Sequence, residues 1–184
     1  MSGGHGHGAE HGDSNKKVGL LISVFALMLA VAEILGQKAQ TQTLQSNIEA
    51  SNQWAFFQAK TIRRTVLETA ADEMETSALT VKDPAAQKAM ADRIEKWRAT
   101  AKRYRSEPDT GEGSEELAKS AKVAEATRDK AGKKHFRFEM ATGSFQIAIV
   151  LASAAIITGL TALLWGAGGL AIGGALFLLS GLMG

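Results

Sequence analysis

No cysteine occurs in this chain, proline occurs only twice, and no charged side chain follows Glu139. The first absence excludes disulfides, thiolate metal sites and cysteine nucleophiles, and it leaves the redox compartment open. Strand signals are absent too, so the chain reads as all-α. The two prolines mark breaks between helices. Asp83-Pro84 has the form of a helix cap and first residue, and Glu107-Pro108-Asp109-Thr110-Gly111 has the form of a helix end. Aromatics are scarce, at 3 Trp, 1 Tyr and 7 Phe. Against that background the stretch "NQWAFFQAKTIRR" stands out, with Trp54, Phe56 and Phe57 followed at once by Lys60, Arg63 and Arg64.

Mean hydropathy is near zero, but the apolar residues are segregated into runs. The span 145–184 holds no charge and as one helix would rise about 60 Å, twice the hydrocarbon thickness of a bilayer. It must therefore turn. The cluster Gly166, Gly168, Gly169 after Trp165 is the expected place, giving halves Phe145–Trp165 and Leu170–Met183. The second half is short for a full crossing. A third apolar run, Val18–Gly36, follows Lys16 and Lys17 and reads as a signal-anchor helix.

Between these runs, residues 37–144 hold every Lys and Arg except Lys16 and Lys17. They also hold every Asp and Glu except Glu10, Asp13 and Glu33. The signs are interspersed, which describes a solvated helical surface and argues against a nucleic-acid patch. Apolar residues follow heptads: Met90, Ile94, Trp97, Ala101 and Tyr104, then Leu117, Ala121, Ala124, Arg128, Ala131, His135 and Phe138. That is the narrow stripe of a coiled coil.

Four regions result: a His/Gly-rich tail over 1–17, a membrane helix over 18–36, an extramembrane helical stalk over 37–144, and a Gly-rich membrane hairpin over 145–184. The stalk closes as an antiparallel hairpin if a first helix over 37–79 ascends and helices over 85–106 and 114–144 descend in series. The third helix is then expected to begin beside the end of the second, making a short three-helix layer near residues 54–62. Trp54 and Phe57 would pack there against small residues such as Ala118, Ala121 and Ala124. Phe56 points elsewhere and is the ring expected to meet a neighbouring subunit.

Few residues carry chemistry. His5, His7 and His11 are weak metal candidates on a Gly-rich tail without fixed geometry. Glu33 is an intramembrane carboxylate near the interface, an expensive placement that raises the question of an ion or proton role. Gly159, Gly169 and Gly173 are expected to let membrane helices approach closely, Gly169 and Gly173 forming a small-x-x-x-small pair. No nucleophile with a base and orienting group, no phosphate-cradling loop and no paired carboxylates are visible, so neither an enzyme nor a cofactor is expected.

The segment "NQWAFFQAKTIR" closely resembles the signature of bacterial membrane proteins in the family called domain of unknown function 4337, at Trp54, Ala55, Phe56, Gln58, Ala59, Lys60, Ile62 and Arg63. "RIEKWRATAKRYRSE" and "KKHFRFEMATGSF" resemble it as well. The resemblance implies this architecture and a bacterial inner-membrane setting, and it implies no activity. In that family basic residues tend to lie between the last two membrane helices, whereas "TGLTALLWGAGG" has none. Lys16 and Lys17 point to a cytoplasmic N-terminus with a periplasmic stalk, and Lys130, Lys133, Lys134 and Arg137 pull the other way. The expected function is a homo-oligomeric membrane scaffold that presents its stalk to an envelope protein partner, with the lipid bilayer as its setting. The alternatives are a small homo-oligomeric channel with a hydrophobic pore and, more weakly, a metal handler using the tail.

Overall fold

A computed structural model describes residues 7–183, with side chains described from Asn15 onward. Four helices account for nearly all of it: α1 (His7–Ala78), α2 (Pro84–Arg105), α3 (Ser114–Thr158) and α4 (Thr161–Met183). Among the described residues there is no strand. By length and composition α1, α3 and α4 can each cross a membrane. The helices expected over 18–36 and 37–79 are one continuous helix, and α3 likewise runs through the boundary expected at 144–145. No proline interrupts either one, and Gly36 and Gly143 at those boundaries are helical.

The membrane hairpin turns elsewhere than expected. Gly159 adopts φ 70° and closes α3, its N–H donating to the Ala155 carbonyl at 2.9 Å. That is the left-handed C-cap for which glycine alone pays no steric penalty. Only Gly159 and Leu160 separate α3 from α4. Gly166, Gly168 and Gly169 are helical, and Trp165 stands on α4 with 84% of its surface exposed. Moving the turn lengthens the last helix to 23 residues, about 34 Å and enough for a full crossing.

The chain divides into two compact units, one of residues up to Thr43 together with Asp129 onward, the other Leu44–Arg128. In the first, α1 buries Val18, Phe25, Ala32 and Ala39, a seven-residue beat, with Ile22, Leu29 and Gly36 half-buried or buried between them. These meet Phe138, Ala141, Phe145, Ala148 and Ala152 of α3, and Ala167, Ala171 and Leu178 of α4, in one apolar cluster. Helices α3 and α4 run antiparallel. Gly166 faces Leu151, Gly174 faces Ser144 and Ala141, and Gly181 faces Phe138. Lipid tails are as apolar as leucine, so such contacts gain little from solvent exclusion and depend on close fit, which small residues permit.

In the second unit the 4-3 spacing read from the sequence matches burial. Met90, Ile94, Trp97 and Tyr104 are half-buried around a buried Ala101, and Leu117, Ala121 and Ala124 are buried on α3. Asp83 caps α2, its carboxylate accepting from Ala85 N–H at 3.2 Å and Ala86 N–H at 3.3 Å, with Pro84 at the first helical position. Such a cap is worth about 1 kcal/mol. Cross-helix pairs fall in register. Arg98 meets Asp72 and Glu75, Lys60 meets Glu112, Trp54 meets Glu125, and Arg128 meets Asn47.

Candidate functional site

The aromatic–basic segment lies in the Leu44–Arg128 unit, on α1. Helical spacing divides it between two faces. Trp54 and Phe57 are half-buried and meet edge to face, ring centroids 5.3 Å apart. The indole Nε1–H donates to Glu125 Oε1 of α3 at 2.9 Å, a charge-assisted bond that fixes the register of α3 on α1 in this unit. Lys60 is half-buried on the same side. Its ammonium lies 3.4 Å from Glu112 Oε2 and 5.2 Å from the centre of the Tyr104 ring. Here α1 touches the end of α2 and the approach to α3 together.

The loop beneath that junction is tightly built. Ser106 Oγ donates to Glu116 Oε1 at 2.8 Å, and the Glu107 N–H donates to Glu116 Oε2 at 3.1 Å. Ser114 Oγ donates to the Arg105 carbonyl at 3.2 Å, and Arg105 Nε donates to Glu115 Oε1 at 2.9 Å. The start of α3 is thereby bound to the end of α2. The Ser106 hydroxyl, and after it the Glu107 N–H, holds the Glu116 carboxyl below the usual carboxylate range. The Arg103 guanidinium does the same for Glu107. Gly113 leaves no room for a side chain, since a Cβ there would stand 2.5 Å from the Glu107 nitrogen and 2.7 Å from Ser106 Cα.

The other face of the segment is open. Phe56 is 63% exposed and Arg63 is exposed beside it, while Gln58, two residues on, is exposed on a different face. Gln53, Phe56, Ala59, Lys60 and Arg63 line one wall of a cavity of about 560 Å³, with Gly111, Glu112, Leu117 and Ser120 opposite. Sequence reasoning singled out the α1 wall and missed the α3 wall. The fold brings Leu117 and Ser120 to it from about sixty residues away, and no local signal marks them.

In the unit that holds the apolar cluster, Glu33 of α1 is exposed and makes no side-chain hydrogen bond or ion pair among the described residues. Gly159 is the turn residue, and a Cβ at Gly169 or Gly173 would meet nothing within 4 Å. The glycines that do admit neighbouring groups are Gly36, Gly132, Gly166, Gly174 and Gly181. At the polar margin of this unit the His135 Nδ1 lies 3.1 Å from the Gly36 carbonyl oxygen. Arg137 donates to the Ser180 carbonyl at 2.7 Å, meeting one of the carbonyls that a helix end leaves unpaired and placing a cation at its negative pole. Neither contact was foreseen. Among the described residues no group of three His, Asp or Glu side chains can hold a metal ion. The tail candidates His5, His7 and His11 lie outside the described side chains.

Residues 14–184, nearly the whole chain, match the family model described as Domain of unknown function (DUF4337). The chain belongs to the DUF4337 family. The match includes the Trp54–Arg63 segment, all three candidate membrane helices and the α2–α3 loop. No curated protein and no solved structure matches this DUF4337 chain.

Proposed function

We propose that this protein is a homo-oligomeric, membrane-anchored helical scaffold without catalytic activity, whose charged helices form an antiparallel stalk presented to an envelope protein. The observation that carries the proposal is the unused glycine face of α4. Packing within the chain employs Gly166, Gly174 and Gly181, while Gly169 and Gly173 meet nothing. One turn apart, they allow a second helix to approach backbone to backbone. The stalk reading draws support from the side-chain pairs of the second unit, whose α1 partner numbers fall as the numbers rise through α2, the α2–α3 loop and α3.

Native mass spectrometry of protein released from lipid nanodiscs tests the assembly. Wild type is expected as a defined oligomer and the Gly169→Ile/Gly173→Ile variant as smaller species. A wild-type monomer at every protein concentration removes the proposal.

The flanking charges bear on orientation. The α3–α4 turn carries none, and the start of the α1 apolar run has Lys16 and Lys17. Lys38, Lys130, Lys133, Lys134 and Arg137 flank the opposite ends. By the positive-inside tendency Lys16 and Lys17 favour a cytoplasmic N-terminus and a periplasmic stalk in an inner membrane, against the opposite pull of Lys130, Lys133, Lys134 and Arg137, which lie on a long extramembrane segment. The chain lacks native cysteine, so single-cysteine variants at Ser2 and Leu79 can be labelled in intact cells with an impermeant maleimide. Labelling at Leu79 alone supports this orientation; labelling at Ser2 alone reverses it.

A small channel is the second reading, and the unpaired, exposed Glu33 within an apolar helix is what favours it. Bilayer recordings that stay silent across voltage and tension, with oligomers intact, dispose of it.

A further inference from the structure

We infer that the cavity between the Trp54–Arg63 segment and the start of α3 binds a small amphiphilic monoanion, a carboxylate on an aromatic or aliphatic body. Its volume, about 560 Å³, is that of a small-molecule site. The α1 wall consists of residues at successive helical turns, so Gln53, Phe56, Lys60 and Arg63 address one space. Two chemical zones line it.

The apolar zone is Phe56, Ala59 and Leu117. Phe56 keeps 63% of its surface in water, an apolar area that an occupant would cover. Gly111 stands at φ 70° with nothing within 4 Å of where a Cβ would lie, so that part of the wall stays unobstructed.

Charge determines the class of ligand. Lys60 is already engaged by Glu112 at 3.4 Å and by the Tyr104 ring. Arg63 is exposed and makes no hydrogen bond or ion pair among the described residues. Two cations and one carboxylate line the cavity, which leaves one positive charge uncompensated, and it sits on the side chain whose planar fork matches a carboxylate. The Gln53 amide and Ser120 hydroxyl, which make no hydrogen bond among the described residues, supply neutral hydrogen-bonding groups. A dianionic phosphate would meet more repulsion from Glu112 than a monoanion does, and a neutral ligand would gain no charge-assisted contact with Arg63.

The test uses the full chain in lipid nanodiscs, with 4-phenylbutyrate as probe and 4-phenylbutanol as its neutral counterpart. Isothermal titration is corrected with empty discs. Saturable binding of the acid is expected, with the alcohol at least about tenfold weaker, the loss of one charge-assisted contact worth about 1.4 kcal/mol. Arg63→Gln and Phe56→Ala should each weaken the acid by about tenfold at unchanged helicity. Glu112→Gln should tighten it, because Lys60 is then free to join Arg63. Absence of saturable binding, equal affinity for acid and alcohol, or indifference to Arg63→Gln overturns the inference. So does a Phe56→Ala variant that binds normally but assembles into smaller oligomers, since the ring would then belong to a contact with a second copy.

Discussion

The two compact units are both all-helical and both lined by alanine, yet they are held together by different chemistry. Around Phe138 the helices rely on shape, with a ring fitting between Gly36 of α1 and Gly181 of α4. In the Leu44–Arg128 unit the helices rely on long side chains that reach across, such as Trp54 to Glu125, Arg98 to Asp72 and Lys60 to Glu112. Water makes the difference intelligible. Exposed ion pairs contribute little singly, so the second unit adds caps, an indole hydrogen bond and the Glu116 loop. The apolar unit has few polar groups to spend and gains from contact density instead.

The largest effect that separates the two is expected from Gly181→Ala. Its Cβ would fall 2.6 Å from the Phe138 ring, and an aromatic ring in a packed notch cannot fold away. A loss of about 2–3 kcal/mol is expected by analogy with overpacked cores, read by steric trapping or thermal unfolding in bicelles. Gly173→Ala, with open space around it, should change the monomer's stability by less than about 0.5 kcal/mol. Equal effects at the two positions would break the shape argument.

Next comes Gly113→Ala. The collision there is with backbone at Glu107 and Ser106, so about 1–3 kcal/mol is expected. Hydrogen exchange should rise around residues 106–117 and stay unchanged around Phe138. Trp54→Phe keeps a ring but strands the Glu125 carboxylate, at about 1 kcal/mol, visible as a lower melting temperature of the charged helices.

The smallest effect is one of pH. Glu116 has its folded pKa depressed, first by the Ser106 hydroxyl and then by the Glu107 N–H. Its contribution is therefore complete above the unfolded carboxylate pKa and is lost as pH falls through the lower folded value. Exchange at the 106–116 loop should quicken under acid before the apolar unit responds, and Glu116→Gln should abolish that difference.

Much of the second unit was legible because heptad spacing and caps are local. Met90 through Tyr104 and Leu117 through Ala124 could be placed on stripes, and Asp83-Pro84 announced a helix start. The split of Phe56 from Trp54 and Phe57 also follows from helical geometry alone. What could not be read was register. Nothing in the sequence says that Trp54 finds Glu125 or that Ser120 joins the cavity, since many offsets satisfy the same stripe. The hairpin turn was misplaced for another reason. A glycine cluster signals a turn in water, where exposed backbone is cheap, but in an apolar helix glycine serves close approach. The residue at positive φ that closes the hairpin, Gly159, looked no different from its neighbours.

That two-residue junction has a consequence for biogenesis. Between Glu139 and the turn, and from the turn to Met183, no ionised side chain has to pass through hydrocarbon. The hairpin's far tip is only Gly159 and Leu160, flanked by Thr158 and Thr161. Thr158 Oγ1 already accepts the Leu160 N–H at 3.3 Å, so the tip carries some of its own hydrogen bonding as it crosses. Helices α3 and α4, each long and apolar enough to cross a membrane, are therefore joined without a charged loop. The delivery of this segment calls for partition between water and lipid, and no hydrophilic loop has to be threaded across.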